Sequence, residues 1–145
     1  MRFMLIVKAS KASEAGALPD PELLNAMGKF NEEMVSAGVM LAGEGLQASS
    51  KGARVLFSGG KRSVIDGPFT ETKELIAGFW LIEAKSKEEA VQWALRSPAP
   101  HGDEDSEIEI RQVFEASDFA DVMSPEDIAR EQELRDRLGT KSAAQ

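Results

Sequence analysis

Hydrophobic positions along the chain fall into short runs whose periods predict an order of elements. Phe3-Met4-Leu5-Ile6-Val7, set between Arg2 and Lys8, is apolar at odd and even positions alike. Side chains alternate across a strand, so this run predicts a strand covered on both faces and central in a sheet. Residues 10–17 are small and polar and read as a loop. Asp20-Pro21 opens a helix, with a carboxylate at the cap and proline at the first helical position. Leu23, Met27, Phe30, Met34 and Ala37 then recur at helical spacing, Asn31, Glu32 and Glu33 fall elsewhere on the wheel, and Gly38 is a natural stop. Residues 39–42 form a short strand that runs into a bend or bulge at Gly43-Glu44-Gly45-Leu46.

Two apolar runs, 53–58 and 61–65, flank Gly59-Gly60. A Gly-Gly loop between such runs predicts a hairpin with Val55 opposite Val64 and Phe57 opposite Arg62. Residues 76–84 are again apolar on both faces, with Phe79 and Leu81 pointing one way and Trp80 and Ile82 the other. Ser86-Lys87-Glu88-Glu89 reads as a capping box ahead of a helix that ends at Ser97-Pro98. Residues 106–113 alternate cleanly, Ile108 and Ile110 inward, Glu107, Glu109 and Arg111 outward. An irregular stretch follows, with Phe119 as an expected anchor. Ser124-Pro125 starts a last helix whose apolar positions, Ile128, Leu134 and Leu138, are too sparse for a core face, and residues 139–145 are expected to fray.

The resulting order, β-α-β, hairpin, β-α-β, predicts an α+β fold: a ferredoxin-like βαββαβ sandwich with an extra hairpin over residues 1–115, then a C-terminal extension with one helix over 116–145. Two helices cover one sheet face only. The central strands also carry apolar side chains on the other, and such a face calls for a partner, most simply a second copy in a homodimer.

Composition narrows the classes. The chain has 145 residues and no cysteine, so disulfides, thiolate metal sites and cysteine nucleophiles are excluded, in keeping with a cytoplasmic location. Its formal charge of −8 repels phosphate backbones, which disfavours nucleic acid as a partner. No run approaches the length of a membrane span, and the apolar start reads as a strand, not a signal peptide.

Chemistry concentrates around Val64-Ile65-Asp66-Gly67-Pro68-Phe69. Gly67 tolerates unusual backbone angles and Pro68 fixes its own, so the strand stops near Asp66 and leaves a carboxylate beside a stiff turn. Asp66 either bonds to its own turn or faces a pocket walled by Phe69 and Trp80. Glu44 and Arg111, each on or beside a strand, complete a constellation with Asp66 that suits orienting an anionic or hydroxylated ligand, or else a structural ion pair. His101, the single histidine, lies in an acidic loop with Asp103, Glu104 and Asp105. It reads as a general acid or base, or as a solvated loop residue. One histidine without cysteine does not make a zinc site, and the acidic loop lacks the glycine at the sixth position of a calcium loop. Gly60-Lys61 is not a phosphate loop, because Arg62 follows where Ser or Thr is needed. No metal and no cofactor are expected.

Val64 to Phe69, with Glu71, Lys73-Glu74 and Gly78, resemble the signature of the DGPF domain of the YCII-related family. Gly43-Glu44-Gly45-Leu46, Glu89-Ala90 with Trp93-Ala94, and Ile108-Glu109-Ile110-Arg111 also match. Gln112 stands where many relatives have proline, and the C-terminal helix lies outside the resemblance. The resemblance implies a dimeric α/β barrel, two ferredoxin-like units packed sheet to sheet. Its superfamily contains lyases, isomerases and monooxygenases acting on small molecules. In YCII-like relatives a His–Asp pair has been suggested as catalytic, and Asp66 matches the motif aspartate. Two functions stay open: a small-molecule enzyme doing cofactor-free proton transfer, elimination or isomerisation beside Asp66, with Asp66 and His101 as catalytic candidates and Glu44, Arg111, Trp80 and Phe69 as binding candidates; or a non-catalytic dimeric ligand-binding or protein-interaction module.

Overall fold

The structure is a computed structural model that describes residues 1–143. In chain order its elements are β1 (Arg2–Lys8), α1 (Lys11–Glu14), α2 (Pro21–Ser36), β2 (Met40–Gly45), β3 (Ala53–Ser58), β4 (Lys61–Asp66), β5 (Ile76–Glu83), α3 (Lys87–Leu95), β6 (Ile108–Gln112) and α4 (Pro125–Ala143), with short 3-10 turns at Ser49–Lys51 and Ala116–Phe119. β2, β5, β1 and β6 form one sheet in that order, every pairing antiparallel. This is the ferredoxin-like arrangement, and the strands that are apolar on both faces, β1 and β5, take its two central places. β3 and β4 form a separate two-stranded sheet. The chain divides into two units, residues 1–112 and 113–145.

Alternation along β1 and β5 sorts their side chains. Phe3 lies opposite Ile82 and Leu5 opposite Trp80, and all four are buried. On that face they form one core with Phe30 and Met34 of α2 and Ala90 of α3. Leu5 and Met34 are fully buried, each worth about 1.5–3 kcal/mol relative to exposure. The alternate positions, Met4 opposite Leu81 and Ile6 opposite Phe79, are half-buried on the face turned away from that core.

Helix starts follow local chemistry. The Asp20 carboxylate accepts the Leu23 N–H at 2.7 Å, satisfying a donor that the first turn of α2 leaves unpaired. Ser86 accepts the Glu89 N–H at 3.1 Å, but the box closes one residue early: the Glu89 carboxylate takes the N–H of Lys85 at 2.8 Å. The hairpin has the predicted register, Val55 opposite Val64 and Phe57 opposite Arg62. Gly59 and Gly60 both hold positive φ, 59° and 76°, the backbone a two-residue hairpin turn demands and other residues resist.

Three local expectations are corrected. Residues 10–17 are not all loop: α1 forms there, capped by Ser10, whose Oγ accepts the Ser13 N–H at 3.0 Å. β2 does not stop before its glycines but runs through Gly43-Glu44-Gly45, and its irregularity falls between Met40 and Ala42. α4 stays helical past Gly139 as far as Ala143; residues 144–145 lie outside the described residues. Within the second unit, Ser124 Oγ accepts the Asp127 N–H at 3.1 Å at the start of α4, and Phe119 packs on Phe114, ring centroids 4.8 Å apart.

Candidate functional site

A cavity of about 820 Å³ opens on the helix side of the sheet in the first unit. Val7 of β1, Trp80 of β5, Met27 and Asn31 of α2, Ser13 of α1 and His101 line it, among others. Glycine makes room for its largest ring. A Cβ on Gly43 would collide with the Trp80 indole and the Met40 methyl, so β2 passes close to Trp80 only because position 43 has no side chain. The Trp80 ring meets Phe30 edge to face, 5.4 Å between centroids at 83°. Its indole N–H donates to the Asn31 side-chain oxygen at 2.8 Å. An indole nitrogen is donor only, so this contact sets the amide orientation of Asn31 and leaves the amide NH2 as a donor.

His101 stands in the loop after α3, half-buried, with Nε2 2.7 Å from the carbonyl oxygen of Lys8 at the end of β1. A carbonyl can only accept, so Nε2 carries the proton. Nδ1 has no hydrogen-bond partner among the described residues, and in the neutral ring it bears the lone pair. The cavity thus combines an apolar wall, a donor amide and an anchored imidazole with one nitrogen unspent. No group of three or more His, Asp or Glu side chains among the described residues is placed to hold a metal ion. No helix among them is long and apolar enough to cross a membrane.

The proposed constellation of Asp66, Glu44 and Arg111 does not lie on one sheet. Asp66 ends β4 in the separate two-stranded sheet, paired with Ala53. Glu44 and Arg111 sit on β2 and β6, the opposite edges of the four-stranded sheet. Residues 61–65 are extended, as their apolar run predicts, but they pair only with β3. Asp66 is exposed, its carboxylate makes no hydrogen bond or ion pair among the described residues, and it does not line the cavity, whereas His101 does. Arg111 is exposed and pairs with Glu109 at 3.3 Å, at the register position opposite Met4. Glu44, exposed and opposite Phe79, lines the cavity, as does Trp80. Phe69 does not wall the same space as Trp80; it lies under the Arg54 guanidinium, 3.8 Å from ring centroid to Cζ.

What the Asp66-Gly67-Pro68-Phe69 turn does instead is dock. The Gly67 N–H donates to the Gly52 carbonyl at 3.0 Å, and the Phe69 N–H donates to Ser49 Oγ at 3.0 Å. A Cβ on Gly67 would run into the Ser49 carbonyl, so this close approach requires glycine. The Gly67–Pro68 peptide is cis. Ser49 in turn donates its hydroxyl and its backbone N–H to the Glu14 carboxylate of α1. The turn is therefore tied through Ser49 to a helix that borders the cavity. Neither Asn31 nor Ser49 was singled out from sequence. Asn31 carried one signal, a polar residue directly after Phe30 on a core helix; Ser49 carried none.

The YCII-related domain model matches residues 1–117. A curated relative, an uncharacterised protein of Rhizobium meliloti (strain 1021), is 33% identical over 75 residues. That match takes in 52% of this chain and about 60% of the relative's length. The ferredoxin-like unit, the docked DGPF turn and the extent of the match together place this chain in the YCII-related domain family.

Proposed function

We propose that the chain binds a small molecule in the cavity between the sheet and α1 and α2, and that His101 exchanges a proton with it. The reaction class is cofactor-free proton transfer, isomerisation or elimination. One observation carries this reading: the His101 ring is held by the Lys8 carbonyl through Nε2 while Nδ1, in a residue that lines the cavity, is unpartnered among the described residues. A base must be positioned before its basicity matters. Asn31, with its oxygen committed to Trp80, offers its NH2 group to a ligand oxygen. Asp66, outside the cavity, has no part in this version of the site. Two copies pair through the sheet face that bears Met4, Ile6, Phe79 and Leu81, in the cytoplasm.

A non-catalytic binding module is favoured by one specific fact. No carboxylate among the described residues is hydrogen-bonded to His101, so the imidazole lacks the acidic orienting partner common in acid–base sites. Both readings are tested together. Protein purified from its native cells is denatured and assayed by mass spectrometry for a retained small molecule, and a metabolite library is screened by thermal shift. The expected result is a ligand whose affinity falls about tenfold or more in His101→Gln and Asn31→Ala, the loss of one good hydrogen bond to a charged or polar group. Turnover of that ligand assigns an enzyme; binding without turnover assigns the module. No retained molecule and no shift across the library defeat the cavity reading.

A further inference from the structure

We infer that the β3–β4 hairpin is an arm that docks on a second copy of this chain. No residue of either strand is buried. Phe57 is 69% and Val64 68% exposed, on the same hairpin face as Val55, and Leu56 and Ile65 are exposed on the other. Single exposed apolar residues are ordinary; three large ones together on one face of a two-stranded ribbon form a patch, and two more lie on the other face. A lone ribbon is marginal in water, and both its edges present unpaired backbone groups. The turn contacts to Ser49 and Gly52 hold only its base.

Charge selects the occupant. The hairpin, residues 53–66, holds three basic side chains and one acidic: Lys61 and Arg62 flank its tip, while Arg54, paired with Glu71 at 3.4 Å, and Asp66 lie at its base. The rest of the chain, with 14 basic against 24 acidic residues, carries −10. An apolar, basic ribbon on a strongly acidic body is complementary to another such body. Two-fold pairing would cover both arms in one step. The same acidic body opposes nucleic acid and anionic lipid as partners.

This inference goes beyond the cavity reading and does not depend on the sheet-face pairing, so the experiment separates the two interfaces. Sedimentation velocity compares the parent with Phe57→Ser/Val64→Ser and with Leu81→Glu, each first shown by circular dichroism and melting to be folded. Because the chain has no cysteine, Ser58→Cys gives one labelling site at the hairpin tip for an environment-sensitive dye. The expected result is a dissociation constant raised about tenfold or more in the hairpin double variant, the scale of losing a small interface anchor. Added salt should also weaken the parent pair, and the tip dye should shift blue as concentration rises. A hairpin variant that associates like the parent, with a dye that never leaves water, overturns the arm even if Leu81→Glu breaks the pair. A parent that stays monomeric, or that remains monomeric while binding phosphatidylserine vesicles through the tip, overturns it as well.

Discussion

Trp80 and Asn31, forty-nine positions apart in sequence, are joined by one hydrogen bond of 2.8 Å that fixes both the indole and the amide at the cavity wall. Asn31→Leu removes the acceptor and strands a largely buried donor, which should cost about 1–3 kcal/mol. Trp80→Phe removes the donor instead. In Asn31→Leu/Trp80→Phe no orphan remains, so chemical denaturation should show the double variant less destabilised than the sum of the singles. Strict additivity would mean that the bond contributes nothing in solution.

Ser49→Ala should unlatch the DGPF turn without unfolding the sheet. It removes the acceptor for Phe69 N–H and the hydroxyl donor to Glu14. The expected loss is about 1–2 kcal/mol, and the Phe69 amide should lose hydrogen-exchange protection while amides of β1 and β5 keep theirs. Equal loss of protection across both regions would show that the latch belongs to the global folding unit.

Asp66→Asn and Leu5→Ala bracket the scale of sensitivity. The Asp66 carboxylate is exposed and unpaired among the described residues, so its variant should stay within about 0.5 kcal/mol of the parent. Leu5 is wholly buried beneath the helices, and Leu5→Ala should cost about 2–5 kcal/mol. Urea melts of the two settle the order, and a large cost at Asp66 would reveal a partner that the first unit does not contain.

A chain ending at residue 124 should melt cooperatively within a few degrees of the parent. The core residues, the cavity and the family match all fall within residues 1–117. Differential scanning calorimetry checks this, and loss of a cooperative transition would show that α4 supports the first unit.

Much of the fold was readable because period and cap chemistry are local. Two-sided apolar runs named β1 and β5 as central, Asp20-Pro21 named the start of α2, and Gly59-Gly60 with its flanks gave the hairpin and its register. α1 escaped because four residues show no period. The site escaped for a different reason. Strand propensity says that 61–66 is extended but not which sheet it joins, so Asp66 was grouped with Glu44 and Arg111 although the hairpin stands apart. Val7, Asn31, Trp80 and His101 come from four separate elements, and only the packing of α2 on β5 and of the His101 loop on the end of β1 brings them to one cavity.

The contact of Glu14 with Ser49 has a thermodynamic side. α1 contributes Ser13 to the cavity wall, while Ser49 holds the base of the hairpin through Phe69. A ligand that changes how firmly α1 is seated must change the free energy of that latch. Opening the latch must then change the ligand's affinity by the same factor. A second copy docked through the hairpin and a small molecule in the cavity would act as effectors of one another, each measurable as a displacement of the other's binding curve.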